Sequence, residues 1–349
     1  MSSAVDTLKP GALELHRRSR RASTLLVLAI VLVIATVVAL VTGAIPVSLL
    51  DIFSTDLDRS MQRTVLLEIR SPRILLAAAV GAALSVSGAA LQGMFRNPLA
   101  DPGLIGVSGG AAVGAITMIV FGGGLVVATE WMPWLVPAAA IAGAAAVTLF
   151  LYVFAQRFGN FNVTTMLLAG IAINALATVA IGSYEFLSDD TQLRTLTFWL
   201  LGSFGRATWV SVLPALAVIG LATAILIRSS RPLDILQLGE AEARYAGVDT
   251  EGLKKRVILA SAAAVGAGVA VSGIIAFVGL VVPHLVRLLG GAAHRYVLIG
   301  AALLGGSLAV VADTLARTIV VPAELPVGLV TSALGAPFFL WLISRVRTA

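Results

Sequence analysis

ASTLLVLAIVLVIATVVALVTGAIPV (22–47) decides what kind of molecule this is. The run carries no charge, and a helix over it, at about 1.5 Å per residue, outreaches the roughly 30 Å hydrocarbon core of a bilayer. A cleaved signal peptide has an apolar core of only about 7–15 residues. The run therefore reads as a retained first span, 24–43. His16, Arg17, Arg18, Arg20 and Arg21 precede it, a cationic flank that holds a helix end in the cytoplasm.

The rest of the chain shares this character. Of 349 residues, 58% are hydrophobic and 12% charged, and mean hydropathy is +0.99. A soluble domain is about 25% charged. The composition excludes a disordered chain and argues against a soluble enzyme. The bilayer is its solvent. A net charge of +6 would suggest nucleic acid in a soluble protein; here its placement sets orientation, and no nucleic-acid partner is expected. Cysteine is absent and there are three histidines, so neither a disulfide nor a dedicated metal site is expected.

Apolar stretches predict ten spans: 24–43, 73–95, 104–128, 134–156, 163–183, 209–228, 257–273, 274–289, 296–318 and 327–344. Residues 257–289 would make roughly 50 Å of helix, too much for one upright span, so a break is placed at Ser272-Gly273. Ten spans put both termini on one side. Seventeen of the 24 Lys and Arg then share that side, which the positive-inside rule makes cytoplasmic. The expected fold is all-α, a polytopic membrane protein of about ten helices. Residues 1–23 form a cytoplasmic tail, and 24–345 form the membrane domain, interrupted by a cytoplasmic segment, 229–256.

The chain also resembles itself. VGAALSVSGAALQGMFRNP (80–98) aligns without gaps on VGAGVAVSGIIAFVGLVVP (265–283). Chance likeness of Ala/Gly/Val-rich helices is the alternative. Taken as a duplication, the copies start five spans apart, and an odd separation inverts one relative to the other, an inverted five-helix repeat. Stretches such as GAALSVSGAA and AAAIAGAAA let helices approach closely in lipid.

Three polar segments remain. The outer loop 44–72 is long and mixed in charge. The outer segment 185–208 is amphipathic, with Phe198, Trp199 and Phe204 as interface anchors. The inner segment 229–256 reads as one or two short helices ended by Gly247. No GxxxxGK[ST], HExxH or GxSxG occurs, so no catalytic residue and no energy-harvesting site is expected. Asp313, four residues before Arg317, is either a structural pair or a proton relay. A pore subunit worked by a separate protein fits these features. A proton-coupled secondary transporter and a membrane scaffold share the bulk ones.

IRSPRILLAAAVGAALSVSGAALQGMFRNPLADPGLIGVSGGAAVGA (69–115) resembles the signature of permease subunits of ABC importers for iron-siderophores, heme and cobalamin. LLAGIAINA (167–175), LQLGEAEARYAGV (236–248), GIIAFVGLVVPHLVRLLGGAAHR (273–295) and ADTLARTIVVPAELPVGLVTSALGAPFFLWL (312–342) follow in that family's order. SDDTQLRTLTFWLLGSFG (188–205) is most similar to heme permeases. The resemblance implies ten helices per subunit in a bacterial inner membrane and a homodimer with the pathway on its two-fold axis. It also implies two cytoplasmic ATPase subunits, which bind ATP and Mg, and a periplasmic binding protein. Heme is then the transported substrate, ferric siderophore or cobalamin the alternatives, and this chain binds no cofactor of its own.

Roles carry over position by position. Arg70, Arg73 and Arg317, on the side poor in positive charge, match positions that dock acidic residues of the binding protein; helix-end anchoring or an internal pair is the plain alternative. Leu238, Gly239, Glu240, Ala243, Arg244 and Gly247 match the ATPase-coupling block, with the two glycines allowing sharp turns. Asn97 and Thr164 match the cytoplasmic gate, where Val163 replaces a Thr; Asn97 could equally be a turn residue. Met166, Leu167, Ile171 and Asn174 are the expected pathway walls, and Arg194 or Arg206 would meet propionates at the entrance or else snorkel. His284 lies in the block shared across the family and does not distinguish heme.

Overall fold

Each stretch read as a span contains one α-helix; of 104–128, only Val107–Phe121 is α-helical and 125–128 lie outside the described residues. The computed structural model describes residues 10–43, 47, 60–124, 131–157 and 163–346. In chain order the helices are α1 (Pro10–Val41), α2 (Ser60–Thr64), α3 (Ser71–Phe95), α4 (Val107–Phe121), α5 (Met132–Arg157), α6 (Val163–Leu187) and α7 (Asp190–Leu200). Then come α8 (Trp209–Arg228), α9 (Ser230–Leu236), α10 (Glu240–Tyr245), α11 (Thr250–Ser272), α12 (Val278–Gly290), α13 (His294–Thr318) and α14 (Val327–Val346). No strand occurs among the described residues. Among the described residues, seven stretches are long and apolar enough to cross a membrane, and Val107–Phe121, Val278–Gly290 and Val327–Trp341 are shorter apolar helices that remain candidates for the other three expected spans.

Several boundaries depart from the sequence reading. α1 begins at Pro10, inside the stretch read as a tail. The second span is longer than 73–95, because α2 and a π-helical stretch, Val65–Arg70, run straight into α3. Most of the outer loop lies outside the described residues, but its last part is this helical lead-in. The break at Ser272-Gly273 stands where expected: α11 ends at Ser272, and Gly273 takes φ +71°.

α3 is the centre of the bundle and is buried on nearly every face. Small residues make this possible. A Cβ on Gly88 would strike the Gly279 carbonyl of α12, and one on Gly81 the Gly305 carbonyl of α13. Close backbone approach takes the place of hydrophobic driving force, which lipid does not supply between helices.

The halves interlock. α3 packs against α12 and α13, and α11 packs against α4 and α5. Each copy's first helix thus crosses to the second and third helices of the other. α4 and α12 correspond as well: each is short, and each follows a left-handed residue, Gly106 or Phe277. The gapless alignment fails past Gly88. There α3 continues to Phe95 while α11 has stopped, and Pro98 falls in a turn while Pro283 lies inside α12.

The helix directions define two ends. At one, α1, α13 and the π-helical lead-in to α3 bring together Arg70, Arg73, Asp313 and Arg317. At the other, α3, α8 and α12 end, α11 and α13 start, and α9 and α10 lie across them.

Candidate functional site

The arginine end is built from helix termini. Arg73 Nε donates to both Asp313 carboxylate oxygens at 3.0 Å, and Nη2 to Oδ1 at 2.8 Å. Arg73 Nη1 donates to Glu324 at 3.0–3.1 Å. The Asp313 side chain is 1% exposed and that of Glu324 48%. Arg317 Nε lies 3.8 Å from Asp313 Oδ2, and Nη2 donates to the Ala39 carbonyl. Arg70 Nη1 donates to the Leu40 carbonyl at 2.6 Å. Ala39 and Leu40 are among the last residues of α1, whose terminal carbonyls have no intrahelical donor, so guanidinium donors satisfy them.

Asp313 has the i+4 partner that its spacing implies, Arg317 at 3.8 Å, and Arg73 adds a closer one from α3. Arg70, Arg73 and Arg317 are all buried, in contacts within the chain. Burying three cations requires carboxylates and carbonyls around them, and those ligands come from α1, α13 and the loop before α14. Glu324 is the exposed member of the cluster.

The α9–α10 end is a stapled pair of short helices. Gly239 (φ +134°) and Gly247 (φ +83°) provide the turns before and after α10, conformations that favour glycine. Ala243 faces the core, while Leu238 is 74% and Tyr245 93% exposed. Glu240 bridges Arg244 at 2.7 Å and Lys254 of α11 at 2.8 Å. The Lys254 hydrogen bond outweighs the cost of burial and, with the charges of Lys254 and Arg244 added to it, holds the Glu240 carboxyl below its usual range. Gln237 Nε2 donates to the Gly93 carbonyl at 2.7 Å. The His294 backbone N–H donates to Asp234 Oδ1 at 2.8 Å, with the His294 ring at 2.7 Å from the same oxygen. Lys254, Asp234, Gln237 and His294 escaped the sequence reading. They lie on other elements, and no local spacing announces them.

The remaining predicted residues are spread over both ends and α6. Asn97 is exposed and its Oδ1 accepts from the Leu99 N–H at 2.9 Å, a local turn. Asp101 caps the next turn through Gly103 N–H at 2.7 Å, and Asn174 Nδ2 of α6 donates to the Gly103 carbonyl at 2.9 Å. Val163 and Thr164 begin α6, and their side chains lie outside those described. Met166 is buried, Leu167 half-buried and Ile171 exposed. Arg194 is exposed, 5.9 Å from the Phe198 ring. Arg206 is exposed and lines a small pocket of about 120 Å³ with Trp199 and Ser272. Of the three aromatics read as interface anchors, Phe198 is exposed, but Trp199 and Phe204 are core residues. No cluster of three metal-ligating side chains occurs among the described residues.

Comparison with known proteins now bears on this arrangement. The description "FecCD transport family" matches residues 31–345. The hemin transport system permease protein HmuU of Yersinia pestis is 47% identical over 330 residues, 92% of this chain and 95% of that protein. The vitamin B12 import system permease protein BtuC of Shigella boydii is 38% identical over 337 residues, 96% and 99% of the two chains. A solved structure described as an inward-facing conformation of a metal-chelate type ABC transporter superposes with a TM-score of 0.83 at 33% identity. It covers 93% of this chain and 99% of that one.

Proposed function

Because the chain belongs to the FecCD transport family, as the translocation subunit of an ATP-binding-cassette importer, we propose that it carries heme from a periplasmic binding protein into the cytoplasm. ATP hydrolysis belongs to a separate subunit. The observation that carries heme is the 47% identity along nearly the whole hemin permease, against 38% to the vitamin B12 permease. That second likeness keeps cobalamin or a ferric siderophore as the alternative cargo.

In this reading two copies form a homodimer and the pathway follows its two-fold axis. α6 supports that role. Leu167, Ile171, Ala175, Thr178 and Gly182 share one face of it, exposed from Ile171 onward, and its small and apolar wall passes a flat amphipathic dianion without trapping it. Asn174 flanks that face, and Met166 lies behind it. Arg194 and Arg206, exposed at the arginine end, would meet propionates. Asn97, Val163 and Thr164 form the gate at the other end, where both termini lie in the cytoplasm.

The arginine end receives the binding protein. Arg73 offers a bidentate fork, and Glu324 is the ligand that an incoming carboxylate would replace. Arg70 and Arg317 keep the cluster cationic. At the opposite end, residues 229–256 couple to the ATPase. Leu238 and Tyr245 present the contact surface, and Glu240, Arg244 and Lys254 make the segment stiff enough to pass on a push. The plain reading of the buried arginines is structural, and it fits Asp313 as a held ion rather than a proton relay.

The deciding experiment reconstitutes the chain with its ATPase and binding protein in proteoliposomes and offers hemin, cobalamin and a ferric siderophore. ATP-dependent hemin accumulation is expected. Preference for another cargo would replace heme, and uptake driven by a pH gradient without ATP would restore the proton-coupled alternative.

A further inference from the structure

α5 and α8 both pack against α11, and where they part, small side chains of α11 floor a groove of about 360 Å³. Two stripes form it. Ile141, Ala145, Thr148 and Tyr152 share one face of α5, and Gly266, Ala262 and Leu259 share one face of α11. Lys255, four residues before Leu259, continues the α11 stripe. The helices run in opposite directions, so Tyr152 and Lys255 meet at the α9–α10 end, with Lys255 Nζ 5.3 Å from the Tyr152 ring centre. Ile141 to Tyr152 spans about 16 Å of helix. The Thr148 hydroxyl donates to its own helix, to the Ala144 carbonyl at 2.7 Å. The wall between the ends therefore offers hydrocarbon contacts alone.

α5, α8 and α11 are all long apolar helices of spanning length, so this groove opens toward lipid. Lys255 and the adjacent Arg256 are exposed, and neither has a carboxylate partner among the described residues. An exposed ammonium over an aromatic ring at the polar end of an apolar helix suits a snorkelling lysine, and anionic lipids of the cytoplasmic leaflet attract such cations. We propose that the α5–α11 groove holds one acyl chain of an anionic phospholipid whose phosphate pairs with Lys255. The proposal rests on the α9–α10 end being cytoplasmic, and it is independent of the cargo.

Native mass spectrometry of the purified full-length chain, titrated separately with phosphatidylglycerol and phosphatidylcholine, tests it. Wild type is expected to retain phosphatidylglycerol at least about tenfold more tightly. Lys255→Gln, an exposed change that leaves packing intact, should bring phosphatidylglycerol down to the phosphatidylcholine level. Ala263→Phe, which fills the groove from an exposed position, should reduce retention of both. Equal retention of the two lipids by wild type overturns the proposal, as does indifference to either variant. A groove covered by a second copy would show as a changed oligomeric state in Ala263→Phe, and that too overturns it.

Discussion

Arg73 and Asp313, 240 residues apart in the chain, are joined side to side: Nε and Nη2 of the guanidinium both reach the buried carboxylate. The pair ties the first turn of α3 to the last turns of α13, so the two halves of the chain are locked together at one end of the bundle.

Removing one partner of such a pair strands the other in a dry site, at a cost of roughly 3–5 kcal/mol. Asp313→Asn should therefore destabilise strongly, toward the lower end of that range because Glu324 still holds Arg73. Asp313→Leu combined with Arg73→Met should recover most of the loss, since packed apolar residues often replace a buried pair at little cost. Thermal unfolding in detergent reads both. A single variant that melts like wild type would show that the ion pair does not hold the halves.

Glu324 provides a cleaner probe of docking than the arginines, whose removal disturbs the fold. It is half exposed and pairs with Arg73 Nη1. Glu324→Gln removes the competitor of an incoming carboxylate. Glu324 is the solvated partner; at the roughly 0.2–1 kcal/mol of a pair in contact with water, binding-protein affinity should rise by about 1.5- to 5-fold, most clearly at low salt. Surface plasmon resonance against the binding protein measures it, and weakened docking would make Glu324 itself part of the contact.

How much of this was legible follows from the range of each interaction. The spans were readable because hydropathy is a property of each stretch alone, and the break at Ser272-Gly273 was readable because no single helix fits the length. Glu240 and Arg244 stand at a spacing that a helix can pair, although only the family block singled them out. Arg73 with Asp313 was not legible, because the register between two distant helices leaves no mark in either. The burial of Phe204 was likewise hidden. Gly202 turns the chain at φ +69°, and an amphipathic reading of 185–208 could not tell which aromatic turns inward.

The coupling segment should carry a pH signature. The Glu240 carboxyl is held below its ordinary value of 4.5, chiefly by the Lys254 hydrogen bond. A carboxyl with a lowered folded-state value adds stability that is complete above 4.5 and is lost as pH falls through the folded value. Protection of residues 230–250 against hydrogen exchange, taken relative to the intrinsic rate at each pH, should therefore be high and flat at neutral pH and fall as pH drops below about 4.5. Glu240→Gln should be weakly protected at both. A wild-type segment equally protected at pH 4 and pH 7 would remove Glu240 as its staple. The same variant should lower transport per ATP hydrolysed, because a loosened α10 transmits less of a push.

The backbone contact between α3 and α12 predicts a sharp contrast between two glycines. At Gly88 any side chain meets the main-chain carbonyl of Gly279, and a backbone cannot step aside as a flexible side chain does. Gly88→Val must push α12 off α3, at an overpacking cost of about 1–3 kcal/mol or more. Gly220, on the exposed face of α8, has nothing within 4 Å of its added carbon. Gly220→Ala should leave the melting temperature unchanged or raise it, since Ala is favoured over Gly within a helix by up to about 1 kcal/mol. Gly88→Val also acts on function, because α12 carries Arg287, whose Nη1 donates to Gln92 of α3 at 2.5 Å beside the Asn97 turn. A Gly88→Val protein with wild-type stability and transport would mean that α3 and α12 are not held at backbone contact.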